Sequence, residues 1–131
     1  MLPVSLYIHI PFCQKRCAYC DFNTYAGLET RIPEYVEALC IEIRLLAQAT
    51  GERISVHTIF FGGGTPSLLS SQQMDQILSA IYKWFTPLPG CEISLEANPG
   101  TLSLPYLQDL RAAGFNRISM GVQSVNPEEL C

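Results

Sequence analysis

The chain has 131 residues, the size of one ordinary domain, and can bury about two-thirds of its unfolded surface. Apolar residues make up 48% and charged residues 15%, which excludes an intrinsically disordered chain. The net charge is -4 and the eight Lys and Arg are scattered, which excludes the clustered basic face that nucleic acid requires.

Residues 1–12 are apolar but lack a cationic start and are interrupted by Pro3 and Pro11, so they do not read as a signal peptide. No run reaches the ~18 apolar residues of a membrane span. The expectation is a reducing, cytoplasmic compartment, where the six Cys read as metal ligands or buried thiols before disulfides.

Two hydrophobic periods alternate along the chain. Ser5 to Ile10 is a short β-rich run. Pro33 to Thr50 is helical, with Pro33 suited to the first helical position and Val36, Leu39, Cys40, Ile43, Leu46 and Ala47 on one face. Ile54 to Phe61 is a second β run. Ser70 and Gln73 form a capping box for a helix carrying Met74, Ile77, Leu78, Ile81, Tyr82 and Phe85. Cys91 to Ala97 is a third strand. Ser103 caps a helix of Leu104, Leu107 and Leu110, which Gly114 ends. Arg117 to Gln123 is a fourth strand, and Asn126-Pro127-Glu128-Glu129 reads as a new helix start. Repeated β-α units predict an α/β fold with a parallel sheet. Periodicity leaves a doubly wound sheet and part of an α/β barrel both open.

The unusual residues follow the strands: Pro11 to Thr24, Gly62 to Ser67, Glu96 to Thr101 and Gly121 to Ser124. In a parallel sheet these segments gather at the carboxyl edge, where α/β sites form. Within the first, Cys13, Cys17 and Cys20 are spaced so that three thiolates can each ligate one iron of a 4Fe–4S cluster, leaving the fourth iron open. The alternatives are a closed zinc site, in which His9 or His57 would be the fourth ligand, and fortuitous thiols. Cys40, Cys91 and Cys131 read as small apolar groups. Gly62-Gly63-Gly64 suits either a tight turn or close approach of backbone to a ligand. Glu96, at the end of an apolar strand, calls for a partner: a ligand group, or a nearby Arg such as Arg117.

Tyr7-Ile-His-Ile-Pro-Phe-Cys13, the cysteine spacing, Gly62-Gly-Gly-Thr-Pro66 and Gly121-Val-Gln-Ser124 together resemble the oxygen-independent coproporphyrinogen III oxidase family of radical S-adenosylmethionine proteins. The resemblance runs over nearly the whole chain. It implies a partial TIM-type barrel, (β/α)6 in the family, of which about four β/α units are present. Residues 1–131 would then be the N-terminal part of the radical S-adenosylmethionine core domain, cut as the fourth helix begins. Met120 and Val122 on the last strand are accordingly expected to lack neighbours.

The resemblance also implies that Cys13, Cys17 and Cys20 hold the cluster, and that S-adenosylmethionine chelates the open iron. Reduction then splits this cofactor into methionine and a 5′-deoxyadenosyl radical. Residue by residue, Tyr7 and Tyr19 match aromatic positions beside cofactor and cluster. Gly63, Gly64 and Thr65 match the loop that meets the cofactor's methionine part, and Glu96 and Gln123 match its polar contacts. No catalytic side chain is assigned.

Phe22 stands where the decarboxylating branch carries a further Cys, and no long arm precedes the first strand. Both features resemble the haem chaperone branch. The implied function is to bind and deliver haem, with an electron donor for the cluster and haem or porphyrin as partners. The competing readings are oxidative decarboxylation of coproporphyrinogen III and a fragment that packs without cofactor.

Overall fold

The computed structural model describes residues 2–13, 25–26 and 29–120. In chain order these form strands β1 (Val4–Ile10), β2 (Phe12–Cys13) and β3 (Tyr25–Ala26), then a 3-10 turn at Glu29–Arg31 leading into helix α1 (Ile32–Ala49). Strand β4 (Ser55–Gly63), a 3-10 turn at Pro66–Leu68 and helix α2 (Ser71–Trp84) follow. Strand β5 (Thr86–Ala97), a 3-10 turn at Pro99–Thr101, helix α3 (Leu104–Ala113) and strand β6 (Arg117–Met120) complete the described chain.

Strands β1, β4, β5 and β6 form one parallel sheet in that order. Each connection steps to the next strand in the same direction. Right-handed crossovers then put every helix on the same face. A doubly wound sheet would reverse its order at a switch point. The sheet is therefore of the barrel type, and among the described residues the helices cover one face only.

Side-chain burial follows that geometry. Ile8, Ile10, Val56, Ile59, Phe61, Ile93 and Leu95 are buried beneath the helices. They meet Val36 and Ile43 of α1, Met74, Ile77, Leu78 and Ile81 of α2, and Leu110 of α3 in one core. Tyr7, Glu96 and Arg117 lie exposed on the other face. His57 is an extra residue at a register shift, since Val4 pairs with Val56 and Ser5 with Thr58. That bulge lets Val56 and Ile59, three positions apart, both face the core.

The helix ends match their sequence signals. Gln73 N–H donates to Ser70 Oγ at 3.1 Å and Ser70 N–H donates to Gln73 Oε1 at 2.8 Å. Tyr106 N–H donates to Ser103 Oγ at 3.3 Å. Gly114 ends α3 at φ 127°, where the Tyr82 hydroxyl occupies the space a Cβ would need. Arg53 adds a cap absent from the sequence reading: its guanidinium donates to the carbonyls of Tyr82, Lys83 and Phe85 at 2.8–3.0 Å, at the carboxyl end of α2. A cation there satisfies orphan carbonyls and meets the negative end of the helix dipole.

Three sequence expectations shift. Helix α1 begins at Ile32, so Pro33 takes the second helical position. Leu46, expected on the core face of α1, is 56% exposed, because Ile43 and Ala47 already fill the stripe against the sheet. The third strand begins at Thr86 instead of Cys91. Val56 pairs with Pro87 but Thr58 with Glu92, so residues between them bulge around Gly90 at φ 81°. Pro87, Pro89 and Gly90 weaken any strand signal there, yet Thr86 N–H still reaches the Ile54 carbonyl at 2.9 Å.

Candidate functional site

Backbone hydrogen bonds stitch the loop after β4 to the carboxyl end of β1 and to β2. Gly64 N–H donates to the Ile10 carbonyl and Thr65 N–H to the Phe12 carbonyl, both at 2.7 Å. The glycine loop thus lies directly on the segment that runs into Cys13. Any side chain at Gly64 would run into the Phe12 backbone. At Gly63, φ is 109° and a Cβ would stand 2.7 Å from the His9 ring. Only glycine fits both positions. The loop is thus a tight turn packed against its own chain, as the first of the two alternatives for these glycines has it.

Ser67, in the turn after the glycines, joins β4 to β5. It is buried and its Oγ accepts from Asn98 N–H at 3.3 Å and bonds Thr101 Oγ1. Asn98 in turn holds Gly100 N–H through Oδ1 at 2.9 Å. On the other side, the Tyr35 hydroxyl of α1 donates to the His9 carbonyl, and its ring meets Phe12 edge-on at 5.3 Å. The carboxyl edge expected from sequence is thus one connected structure.

The open face beside this edge carries the other candidates. Tyr7 stacks on Phe60 with centroids 5.9 Å apart, and its hydroxyl shares a hydrogen bond with His9 Nδ1 at 3.2 Å. Burial, followed by the negative charge of Glu96, pushes the Tyr7 hydroxyl above its ordinary pKa, so it stays protonated near neutrality. Glu96 is exposed, not buried, and its Oε1 accepts from Gly63 N–H at 3.3 Å. Its partner is not Arg117, which instead pairs with Glu92 at 3.2 Å. The reason is register: Arg117 stands opposite Ser94 and Ser119 opposite Glu96, so the guanidinium lies a level below the strand end.

Of the three cysteines expected to hold a cluster, Cys13 lies within the described residues and is buried at the end of β2, paired with Ala26 of β3. Cys17, Cys20, Tyr19, Phe22 and Gln123 lie outside them. His57 bonds Ser5 Oγ at 3.3 Å, at the opposite end of the sheet. Ile10, still short of Cys13, is already about 16 Å further along β1, so His57 is no ligand for a site at Cys13. Burial raises the pKa of both the Cys40 and Cys91 thiols, with the Glu92 charge adding to Cys91. A raised pKa keeps these thiols protonated near neutrality, in keeping with their reading as small apolar groups.

Sequence reasoning missed Ser67, Tyr35, Arg53 and Asn116. Asn116 accepts from Ile93 N–H and donates to the Cys91 carbonyl, each at 2.9 Å, bridging β5 to the start of β6. A signal existed for Ser67 and Asn98, which sit inside the two edge segments already singled out. None existed for Arg53, whose partners are carbonyls some 30 positions away.

The profile of the radical SAM superfamily matches residues 7–131. The chain is 45% identical over 131 residues to heme chaperone HemW of Escherichia coli (strain K12), covering 98% of this chain and 34% of that protein. It is 43% identical over 131 residues to heme chaperone HemW of Mycobacterium tuberculosis (strain ATCC 25618 / H37Rv), covering 98% and 33%. The oxygen-independent coproporphyrinogen III oxidase of Bradyrhizobium diazoefficiens is 40% identical over 124 residues, covering 94% and 28%. The chain thus spans about a third of the length of these curated relatives. Among solved structures, coproporphyrinogen III oxidase (HemN) from Escherichia coli, titled a radical SAM enzyme, superposes with a TM-score of 0.86 at 38% identity, covering 96% of this chain and 29% of that one. No helix among the described residues is long and apolar enough to cross a membrane. The superfamily match from Tyr7 onward, together with the barrel-type sheet whose glycine loop packs on the segment entering Cys13, leads to one assignment: the chain belongs to the radical SAM superfamily.

Proposed function

We propose that residues 1–131 form the N-terminal part of the cofactor-binding core of a radical S-adenosylmethionine protein of haem metabolism. In this reading Cys13, Cys17 and Cys20 hold a 4Fe–4S cluster. Tyr7, Tyr19, Gly63, Gly64, Thr65, Glu96 and Gln123 take up S-adenosylmethionine. The whole protein is a cytoplasmic haem chaperone that binds and delivers haem, served by an electron donor. When bound, the cluster and S-adenosylmethionine supply one-electron, radical chemistry that no side chain provides.

The observation that carries this reading is the joining of the Cys13 segment, the glycine loop and Glu96 at one edge. The described residues suit the cofactor. Glu96 is an exposed carboxylate that accepts from Gly63 N–H through Oε1, and a carboxylate has further acceptor capacity for hydroxyl or amino groups. The glycines bring bare backbone to the same place. Protonated Tyr7 presents a neutral donor and an aromatic face beside it.

Phe22, in place of the additional cysteine, favours haem delivery over decarboxylation. The oxidase reading is kept by the relative from Bradyrhizobium diazoefficiens and by the solved neighbour. Anaerobic reconstitution of the full-length protein, with parallel assays of haem binding and coproporphyrinogen III turnover, separates the two. We expect haem binding and unchanged porphyrinogen. Accumulation of protoporphyrinogen IX that depends on S-adenosylmethionine would restore the oxidase. Alanine at Cys13, Cys17 or Cys20 should each abolish the four-iron resonance signal, and a variant that keeps it removes that cysteine from the ligand set.

A further inference from the structure

We propose that Ser67 is a positioning residue of the cofactor site, whose buried hydroxyl locks the glycine loop to the end of β5 and so sets how Glu96 faces Gly63. The inference rests on the functional reading above and deepens it.

The hydrogen bonds around Ser67 have one consistent arrangement. Thr101 Oγ1 donates its single proton to the Asn98 carbonyl at 2.6 Å. Ser67 Oγ must therefore donate to Thr101 Oγ1, while accepting from Asn98 N–H at 3.3 Å. Ser67 is 5% exposed, so water does not substitute readily for either bond. Asn98 lies two residues beyond Glu96, and Ala97 between them is buried. Fixing the Asn98 backbone therefore fixes the direction in which Glu96 leaves the strand.

The other end of the linkage is equally tied down. Ser67 begins two residues after Thr65, whose N–H is bound to the Phe12 carbonyl. A continuous path runs from the Cys13 segment through the glycine loop and Ser67 to Glu96. Every other link in it is backbone or the Glu96 carboxylate itself. Ser67 is the side chain that closes the path, and its removal leaves Asn98 N–H without its acceptor while the strands stay paired.

The test uses the reconstituted full-length protein and S-adenosylmethionine. Ser67→Ala should keep its iron and sulfide content yet bind S-adenosylmethionine about tenfold more weakly. It should also show a smaller change in the resonance spectrum of the reduced cluster when S-adenosylmethionine is added. Ser67→Thr, which keeps the hydroxyl, should recover most of the affinity. Arg53→Met supplies the control, because it loosens α2 at the amino-terminal end of the sheet and should lower the melting temperature with affinity unchanged. Wild-type affinity in Ser67→Ala, or an equal loss in Arg53→Met, would overturn the proposal and leave the functional reading standing. A wild-type protein that holds neither cluster nor S-adenosylmethionine would sink both. Should Ser67→Ala fail to fold, Ser67→Cys carries the same expectation, since its thiol is a weak acceptor for Asn98 N–H; wild-type affinity in that variant would overturn the proposal.

Discussion

Phe60 and Phe61 are neighbours in β4, yet Phe61 is fully buried under the helices while Phe60 lies half-buried beside Tyr7 on the open face. One face of the sheet is an apolar core continuous with three helices. The other pairs Tyr7 with His9, Ser5 with Thr58 and Arg117 with Glu92 through polar contacts. A parallel sheet ordinarily buries both faces. A face that keeps its polarity is set aside for something other than packing against helices, and here it leads up to the edge where Glu96 meets the glycine loop. The covered face should therefore govern stability and the open face ligand binding.

The largest test of that division is Phe61→Ala against Phe60→Ala. Phe61 packs against Phe115 at 5.2 Å in the core, and its loss should cost about 3–5 kcal/mol in chemical unfolding of the full-length protein. Phe60→Ala should cost about 1 kcal/mol, chiefly its stacking on Tyr7. Equal costs would break the comparison.

A smaller effect separates the glycines. Gly64→Ala drives a methyl group into the Phe12 backbone and should destabilise by about 1–3 kcal/mol, weakening S-adenosylmethionine binding as the loop lifts. Gly100→Ala meets only Asn98 Oδ1, at 3.4 Å, and should stay within about 0.5 kcal/mol. Titration calorimetry alongside thermal melts would show whether the edge tolerates Gly64→Ala.

Tyrosine ionisation sharpens the contrast further. On the covered side, burial pushes the Tyr106 hydroxyl up to about 12, and it donates to the Leu69 carbonyl at 2.7 Å. A folded pKa above the unfolded value near 10 means that its contribution is fully present below pH 10 and is lost as pH rises toward 12. Melting temperature should therefore fall over that window, and Tyr106→Phe should flatten the fall. An unchanged alkaline profile in Tyr106→Phe would remove Tyr106 as its cause.

The smallest expected effect is on Tyr7. Glu96→Gln removes the charge that adds to burial in raising the Tyr7 pKa, so the Tyr7 titration should move down while that of Tyr106 stays put. Nuclear magnetic resonance of ring-labelled tyrosine would follow both. A Tyr7 titration that stays put would place Glu96 further from it than its bond to Gly63 indicates.

Much of the scaffold was legible in the chain. The capping box at Ser70 and Gln73, the Ser103 cap and Gly114 are local signals, each satisfied within a few residues, and all three stand where expected. Local signals failed where distant backbone decided the outcome. Pro87, Pro89 and Gly90 argue against a strand, but the adjoining edge of β4 draws Thr86 and Pro87 into the ladder. Leu46 fits the helical stripe of α1, but α1 touches the sheet along a narrower line.

The site divides in the same way. The order of residue types along the chain already determined that the stretch entering Cys13, the glycines and Glu96 would gather at one edge, because a parallel sheet sends every strand's carboxyl end the same way. Which neighbour each residue would find was decided only by the fold. Strand register gave Arg117 to Glu92 and left Glu96 to Gly63 N–H. The unreversed order of β1, β4, β5 and β6 put the described helices on one face of the sheet. Register and strand order depend on how the whole set of helices packs, and no short stretch of sequence carries that information.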